Sequence, residues 1–182
     1  MDKLLVRRVK ADEIESLQLI SRRTFYETFW MSNSHQDMID YLENSLSLEA
    51  LSRELENPNS EFYFLFLDAE SATDFEPAAY LKLNFLNAQT EFVKEGAVEL
   101  ERIYVLSKFQ CKGIGRYLLD FSIQLALSRR APILWLGVWE RNYNAIDFYK
   151  QNNFQEFGKH TFRLGQDLQT DILMQKILLP TG

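Results

Sequence analysis

FQCKGIGRYLLDFSIQLAL (109–127) limits the fold more than any other part of the chain. It follows AVELERIYV (97–105), which reads as a strand, and leads to PILWLGVW (132–139), continuously apolar as a strand covered on both faces should be. Between them Ile114, Leu118, Phe121 and Leu125 fall at the spacing of an amphipathic helix, and residues 144–152 read as another. A strand–helix–strand–helix unit over 97–152 requires a parallel pair of strands, because the crossover helix returns the chain to the end where it began. Two glycines, Gly113 and Gly115, stand at the mouth of the first helix, where Ser, Thr, Asp or Asn is the usual cap.

The order strand, Gln110-Cys111-Lys112-Gly113-Ile114-Gly115, helix leaves first-turn N–H groups free. Those groups and the helix dipole attract phosphate oxygens, and a side chain at Gly113 or Gly115 would hold phosphates away. Lys112 and Arg116 add charge at the rim. A tight turn alone would also explain the glycines. Two other phosphate motifs fail. The P-loop pattern is absent, and the third glycine of a dinucleotide fingerprint is Leu118 here. What fits is Gln-x-x-Gly-x-Gly.

The rest of the chain supplies further elements. KLLVRRV (3–9) reads as a strand. Residues 11–30 read as a helix with Ile14, Leu17 and Ile20 on one face and Asp12 and Glu13 at its positive end. Two shorter helices follow at 36–44 and 48–56, the second stopped by Asn57-Pro58-Asn59. EFYFLFLD (61–68) and PAAYLKLNF (77–85) read as strands, then a polar loop runs to Gly96. FQEFGKHTFRL (154–164) and TDILMQKIL (170–178) read as closing strands around Gly165-Gln166-Asp167. No repeat, low-complexity segment or linker interrupts residues 1–182, so one domain is expected, a mixed α/β sandwich with a parallel pair at its heart.

Of the 182 residues, 46% are hydrophobic and 25% charged, enough for a sizeable core and against disorder. No apolar run approaches the ~18 residues of a membrane span, and MDKLLVRRVKADE lacks the features of a signal peptide. Cys111 is the single cysteine, which excludes an intrachain disulfide and fits a reducing cytoplasm. With only His35 and His160 beside it, no metal site is expected. Residues 1–97 hold 9 Lys/Arg against 18 Asp/Glu, and residues 98–182 hold 11 against 8. The acidic half reads either as a solvated face or as the side that meets a cation, with the basic half meeting an anion. No Lys/Arg cluster points to nucleic acid.

At Gln-x-x-Gly-x-Gly the sequence resembles the GNAT superfamily of acyl-CoA N-acyltransferases. LERIYVLSKFQCKGIG is similar to that family's strand and loop, and WLGVWERNYNAIDFYKQNNF to its fifth strand and fourth helix. TFYETF (24–29) with DMIDYLEN (37–44) further resembles bacterial polyamine acetyltransferases of the PaiA type. The resemblance implies a mostly antiparallel twisted sheet of about seven strands, with a splayed parallel central pair and helices on both faces. It implies acetyl-CoA as co-substrate, no metal, a core at 97–178 that binds it, and helices at 11–57 that cover the acceptor.

By match, the pantetheine arm would pair with Ile103, Tyr104 and Val105, and the pyrophosphate would sit on the N–H groups of Gln110, Cys111, Lys112, Gly113, Ile114 and Gly115, near Arg116. Cys111 stands where many relatives have Gly. Tyr149 matches the tyrosine that protonates the departing thiolate, a role a phenol can fill because its ordinary pKa is about 10, close to that of a thiol. The alternative for Tyr149 is a core residue. Val105 N–H matches the oxyanion donor, and Asn142 a cofactor-contacting asparagine. Asn144 could cap the helix that follows, and Asn153 replaces a frequent Gly before Phe154.

Glu99 and Glu101 alternate onto one face of a central strand, where a carboxylate is costly unless paired or functional. Each is a candidate base, directly or through water, and each could instead be in a salt bridge with Arg102 or a neighbour. His35 and His160 have no match and read as surface or packing residues. The acceptor expected is a small-molecule primary amine, spermidine or spermine first, since aromatic rings followed by acids suit a polyamine. A protein N-terminus or lysine, or a silent acyl-CoA-binding module, remain alternatives, as does core packing for Phe25, Phe29 and Trp30. A homodimer is permitted and not required.

Overall fold

The computed structural model describes residues 4–67, 76–165 and 167–178. The expected ends at Lys3 and Asp68 and the turn residue Gln166 lie outside them. Seven strands form one sheet: β1 (Leu5–Arg8), β2 (Ser60–Phe66), β3 (Ala79–Phe85), β4 (Val98–Val105), β5 (Ile133–Trp139), β6 (Gln155–Leu164) and β7 (Asp167–Ile177). Their order is β1-β2-β3-β4-β5-β7-β6, and every neighbouring pair is antiparallel except β4 and β5.

Helices α1 (Ile14–Phe29), α2 (His35–Asn44) and α3 (Leu48–Glu56) precede β2, while α4 (Ile114–Ser128) and α5 (Tyr143–Gln151) flank β5 in sequence. The expected long first helix is α1 with a 3-10 turn at each end, Ala11–Glu13 and Trp30–Ser32.

The alternation in β2 shows how the sheet is buried on both faces. Phe62, Phe64 and Phe66 pack with Leu17 and Ile20 of α1. Tyr63 and Leu65 pack with Leu118 and Leu119 of α4. Every residue of β2 and β3 is buried as a result.

β4 breaks its own alternation. Lys82 pairs with Arg102 but Leu83 pairs with Leu100, so Glu101 is a bulged extra residue. Val98 and Leu100 before the bulge, and Ile103 and Val105 after it, all join the apolar cluster under α4. Glu101 and Arg102 are thereby turned together toward the other face.

The parallel pair is short. Val98 opposes Leu134 and Glu99 opposes Trp135, and no further register pair joins β4 to β5 among the described residues. Beyond Glu99 the two strands part, as a splayed pair should. Both strands keep their outer partners throughout, β3 for β4 and β7 for β5. The inner edges of Leu100–Val105 and Leu136–Trp139 are left facing a gap.

Candidate active site

Where β4 and β5 separate, a cavity of about 220 Å³ passes through the sheet. Leu100, Ile103, Val138, Ala145 and Tyr149 line it from the α4–α5 side. Glu99, Glu101, Tyr104, Gly137 and Trp139 line it from the α1 side, with Phe25, Phe29, Tyr41 and Phe162 closing that end. Of the residues singled out in the sequence, Glu99, Glu101, Ile103, Tyr104, Asn142 and Tyr149 meet in this cavity. Val105 and the loop 110–116 are not among its lining residues.

The backbone of β4 presents groups to the gap. Leu106 N–H donates to Ala78 O at 3.0 Å, toward β3. Alternation along a strand then turns the N–H and C=O of Val105, and those of Ile103, toward β5 and the opening. The Val105 carbonyl accepts from Gln110 Nε2 at 3.0 Å. Tyr104 is reversed: its backbone faces β3 and its ring lines the cavity.

The glycine loop answers why this helix begins without an ordinary cap. Gly113 caps α4 with φ +81°, a left-handed conformation that only glycine adopts cheaply. Gly115 is different. A Cβ there would meet nothing nearer than Phe148 Cζ at 4.0 Å. Neither backbone nor packing needs that glycine, which leaves close approach from outside as the reason for it. Cys111 also has a positive φ, 58°, so this is a place where a glycine would sit without strain.

Gln110 N–H is already donated to Ser107 O, 3.2 Å. Gln110 therefore holds the loop, and the expected run of free N–H groups begins at Cys111 instead. From Cys111 to Arg116 no backbone N–H has a partner among the described residues. Arg116 pairs with Asp120 at 2.9 Å, and the Lys112 amine lies over the Phe109 ring.

Tyr149 is 7% exposed, with its ring against Phe148 and Phe154. Its hydroxyl has no hydrogen-bond partner among the described residues. Burial pushes its pKa well above the ordinary phenol value, so it stays protonated near neutral pH instead of matching a thiol. Asn142, not Asn144, caps α5: its Oδ1 accepts from Ala145 N–H at 3.2 Å, and Asn144 is already inside the helix. Asn153 takes the left-handed conformation, φ 63°, as its residue type allows.

The two glutamates differ. Glu101 lies 2.5 Å from Lys82 Nζ and 3.0 Å from Arg102 Nη2, and both cations also reach Glu54. Burial alone would raise the Glu101 pKa, but Arg102 and Lys82 outweigh it and hold the carboxyl below its usual range. Glu99, 2% exposed, has no cation beside it among the described residues. It accepts hydrogen bonds from Thr90 N–H, Thr90 Oγ1 and Asn84 Nδ2. Burial outweighs these and raises its pKa.

Two groups escaped the sequence reading. His160, taken for surface or packing, lines the cavity with Asp171. The two are paired across β6 and β7, and Asp171 is also opposite Trp139 of β5. Burial raises the Asp171 pKa against the pull of His160. One signal was available, an acid in the apolar run TDILMQKIL. Part of the acidic half is neutralised within the chain, Glu54 by Lys82 and Arg102, Glu61 by Arg8 and Arg129, and Glu76 by Arg23 and Lys108.

Trp30 stacks on Tyr26 and meets His35 edge-on, away from the cavity. Among the described residues no group of three or more His, Cys, Asp or Glu could hold a metal ion, and no helix is long and apolar enough to cross a membrane.

The sequence model of the acetyltransferase (GNAT) family matches residues 20–154. An uncharacterised N-acetyltransferase of Lactobacillus delbrueckii subsp. lactis is 40% identical over 171 residues, 94% of this chain and 95% of that protein. A spermine/spermidine N(1)-acetyltransferase of Bacillus subtilis is 34% identical over 70 residues, 38% of this chain and 46% of that one. The crystal structure of PaiA N-acetyltransferase from Thermoplasma acidophilum in complex with coenzyme A superposes with a TM-score of 0.74 at 20% identity, over 96% of this chain and 99% of that one. That last likeness is one of fold.

Proposed function

This chain belongs to the acetyltransferase (GNAT) family, and from that premise we propose that it transfers an acetyl group from acetyl-CoA to a polyamine such as spermidine or spermine, by direct attack in a ternary complex. The observation that carries this reading is the cavity through the sheet. It joins a protonated phenol on one face to a carboxylate that has no counter-ion among the described residues on the other, beside a strand edge with no neighbouring strand.

Coenzyme A fits this frame. The edges of Ile103 and Val105 can pair with an extended arm, as a strand would. The free N–H groups from Cys111 to Arg116, with the unneeded Cβ of Gly115 missing, suit a pyrophosphate. Bound there, acetyl-CoA supplies the acyl carbon of a thioester, and the chain's own groups manage the charge. An amine attacks only when neutral, so a base must take its proton. Of the two expected glutamates, Glu99 suits that task, because its raised pKa favours taking a proton and no cation among the described residues holds its charge. Glu101 is occupied by Lys82 and Arg102 and shapes the floor. Val105 N–H would meet the developing oxyanion. Tyr149 would give its proton to the leaving thiolate.

Six rings, Phe25, Phe29, Tyr41, Tyr104, Trp139 and Phe162, face the carboxylates of Glu99 and Asp171 across the acceptor side. Such a lining suits alkyl chains carrying several ammonium groups. The Bacillus subtilis relative, named for spermine and spermidine, supports the same acceptor. The test is thiol release from acetyl-CoA with spermidine, spermine, putrescine, amino sugars and basic peptides. Turnover with the polyamines is expected. Turnover confined to peptides would move the acceptor to a protein amine, and none at all, with acetyl-CoA still raising Tm, would leave a silent acyl-CoA-binding module.

A further inference from the structure

Acetylation of an amine that arrives as an ammonium ion leaves one proton over. The nitrogen sheds two protons and the thiolate takes back one. The surplus has to leave the cavity on every turnover, or the base stays protonated. Glu99 is 2% exposed and Glu101 is held between two cations, so neither gives a route to solvent.

The opposite wall supplies one. Asp171, with its side chain 18% exposed, lines the cavity, and His160 Nε2 lies 3.6 Å from its Oδ2. His160 Nδ1 lies 3.5 Å from Oε1 of Glu91, whose side chain is 47% exposed. Carboxylate, imidazole and carboxylate thus run from the cavity wall to the surface. The Nδ1 atom is buried and makes no hydrogen bond to the protein, so packing does not commit it elsewhere.

Two neighbours keep the chain in place and open. Thr90, the residue before Glu91, is tied through both its N–H and its hydroxyl to Glu99, which fixes the loop that carries Glu91. At Gly137 a Cβ would stand 3.4 Å from Asp171 Oδ2 and 3.8 Å from His160 Cε1, so its absence leaves both groups open to the cavity.

We propose that Asp171, His160 and Glu91 form the exit for this proton, a role that rests on the acetyl-transfer reading of the same cavity. Asp171 takes the proton given up inside, and water has room to connect it with Glu99. The Nε2 atom of His160 receives that proton as Nδ1 releases one to Glu91 and to solvent. Each step breaks one bond to hydrogen and makes another, with no redox partner. Both separations are longer than a hydrogen bond, so the relay requires the three groups to close by a few tenths of an ångström, or one water between them, when substrate is bound.

The test is His160→Gln in the full chain, assayed with whichever amine the wild type acetylates fastest. The variant is expected to lose about tenfold in kcat near neutral pH, with KM for acetyl-CoA unchanged, and added imidazole should restore the rate as a mobile proton carrier. Glu91→Gln, a change at a half-exposed side chain that leaves the fold intact, should show a smaller loss with the same rescue. Unchanged kcat in both variants overturns the exit, as does a loss in His160→Gln that imidazole leaves untouched while Glu91→Gln is silent. Any ammonium acceptor releases the same proton, so failure of the polyamine reading appears separately, in the wild-type panel.

Discussion

The glycine loop and the acceptor cavity are built on opposite plans. The loop's chemistry lies within residues 110–116, exposes backbone N–H groups, and depends on what is missing at Gly115. The cavity draws Phe25, Thr90, Glu99, Gly137, His160 and Asp171 from distant segments, and its chemistry depends on burial and charge partners. A local backbone site can serve any ligand with phosphates, whereas a cavity assembled from remote side chains can be altered one wall at a time. The contrast recurs at small scale in Glu99 and Glu101, two residues apart, one biased toward protonation and the other toward charge.

Four substitutions test that contrast. Glu101→Gln leaves Lys82 and Arg102 short of a counter-ion, and about 3 kcal/mol of stability should go, read by denaturant unfolding. The Glu101 contribution exists above the usual carboxylate pKa and fades as pH falls through its lowered folded value, so wild type and variant should converge in acid. Tyr149→Phe should lower kcat about hundredfold with little change in KM for acetyl-CoA. A variant with wild-type turnover would end the role of Tyr149 as acid.

Gly115→Ala should separate stability from binding. Inside a helix alanine gains up to about 1 kcal/mol over glycine, so Tm should rise. Calorimetry should at the same time show acetyl-CoA binding weakened about tenfold, roughly the worth of one charge-assisted hydrogen bond. Tighter binding would deny the loop its ligand. The smallest effect on stability is expected at Glu99→Gln, whose loss of kcat, about hundredfold if Glu99 is the base, is read separately. The raised pKa of Glu99 means that stability is lost as pH rises from the usual carboxylate range through the folded value, and is fully lost above it. The variant's Tm should therefore exceed that of wild type by more at pH 7 than at pH 4, by less than about 1 kcal/mol in equivalent stability.

The sequence made the loop and the sheet legible for a physical reason. Helical spacing in α4, continuous apolarity in β5 and the Gln-x-x-Gly-x-Gly run are short-range patterns. The cap of α5 was expected two residues late, at Asn144 and not Asn142, because whether an asparagine caps or continues a helix turns on one backbone conformation. Glu101 was recognised as costly, yet its partner Lys82 comes from another strand and its orientation from a bulge, neither of which has a local signature. His160 was passed over because its importance comes from Asp171 and Glu91, which only the pairing of β6 with β7 and the position of the β3–β4 loop bring to it.

The short parallel join has a further consequence. β1 to β4 are drawn from residues 5–105 and β5 to β7 from residues 133–177, so each half of the sheet is a consecutive length of chain closed by antiparallel ladders. Between the halves stand the two rungs at Val98–Leu134 and Glu99–Trp135, with α4 packed across them. Each half completes its own ladders without the other, and α4 carries the chain across from one half to the other. In the folded protein the two halves meet along that line through the fewest rungs of any neighbouring strands, while amide exchange is expected to begin at the exposed edge strand β6. The gap proposed to admit a ligand is therefore also the boundary between two consecutive lengths of the chain.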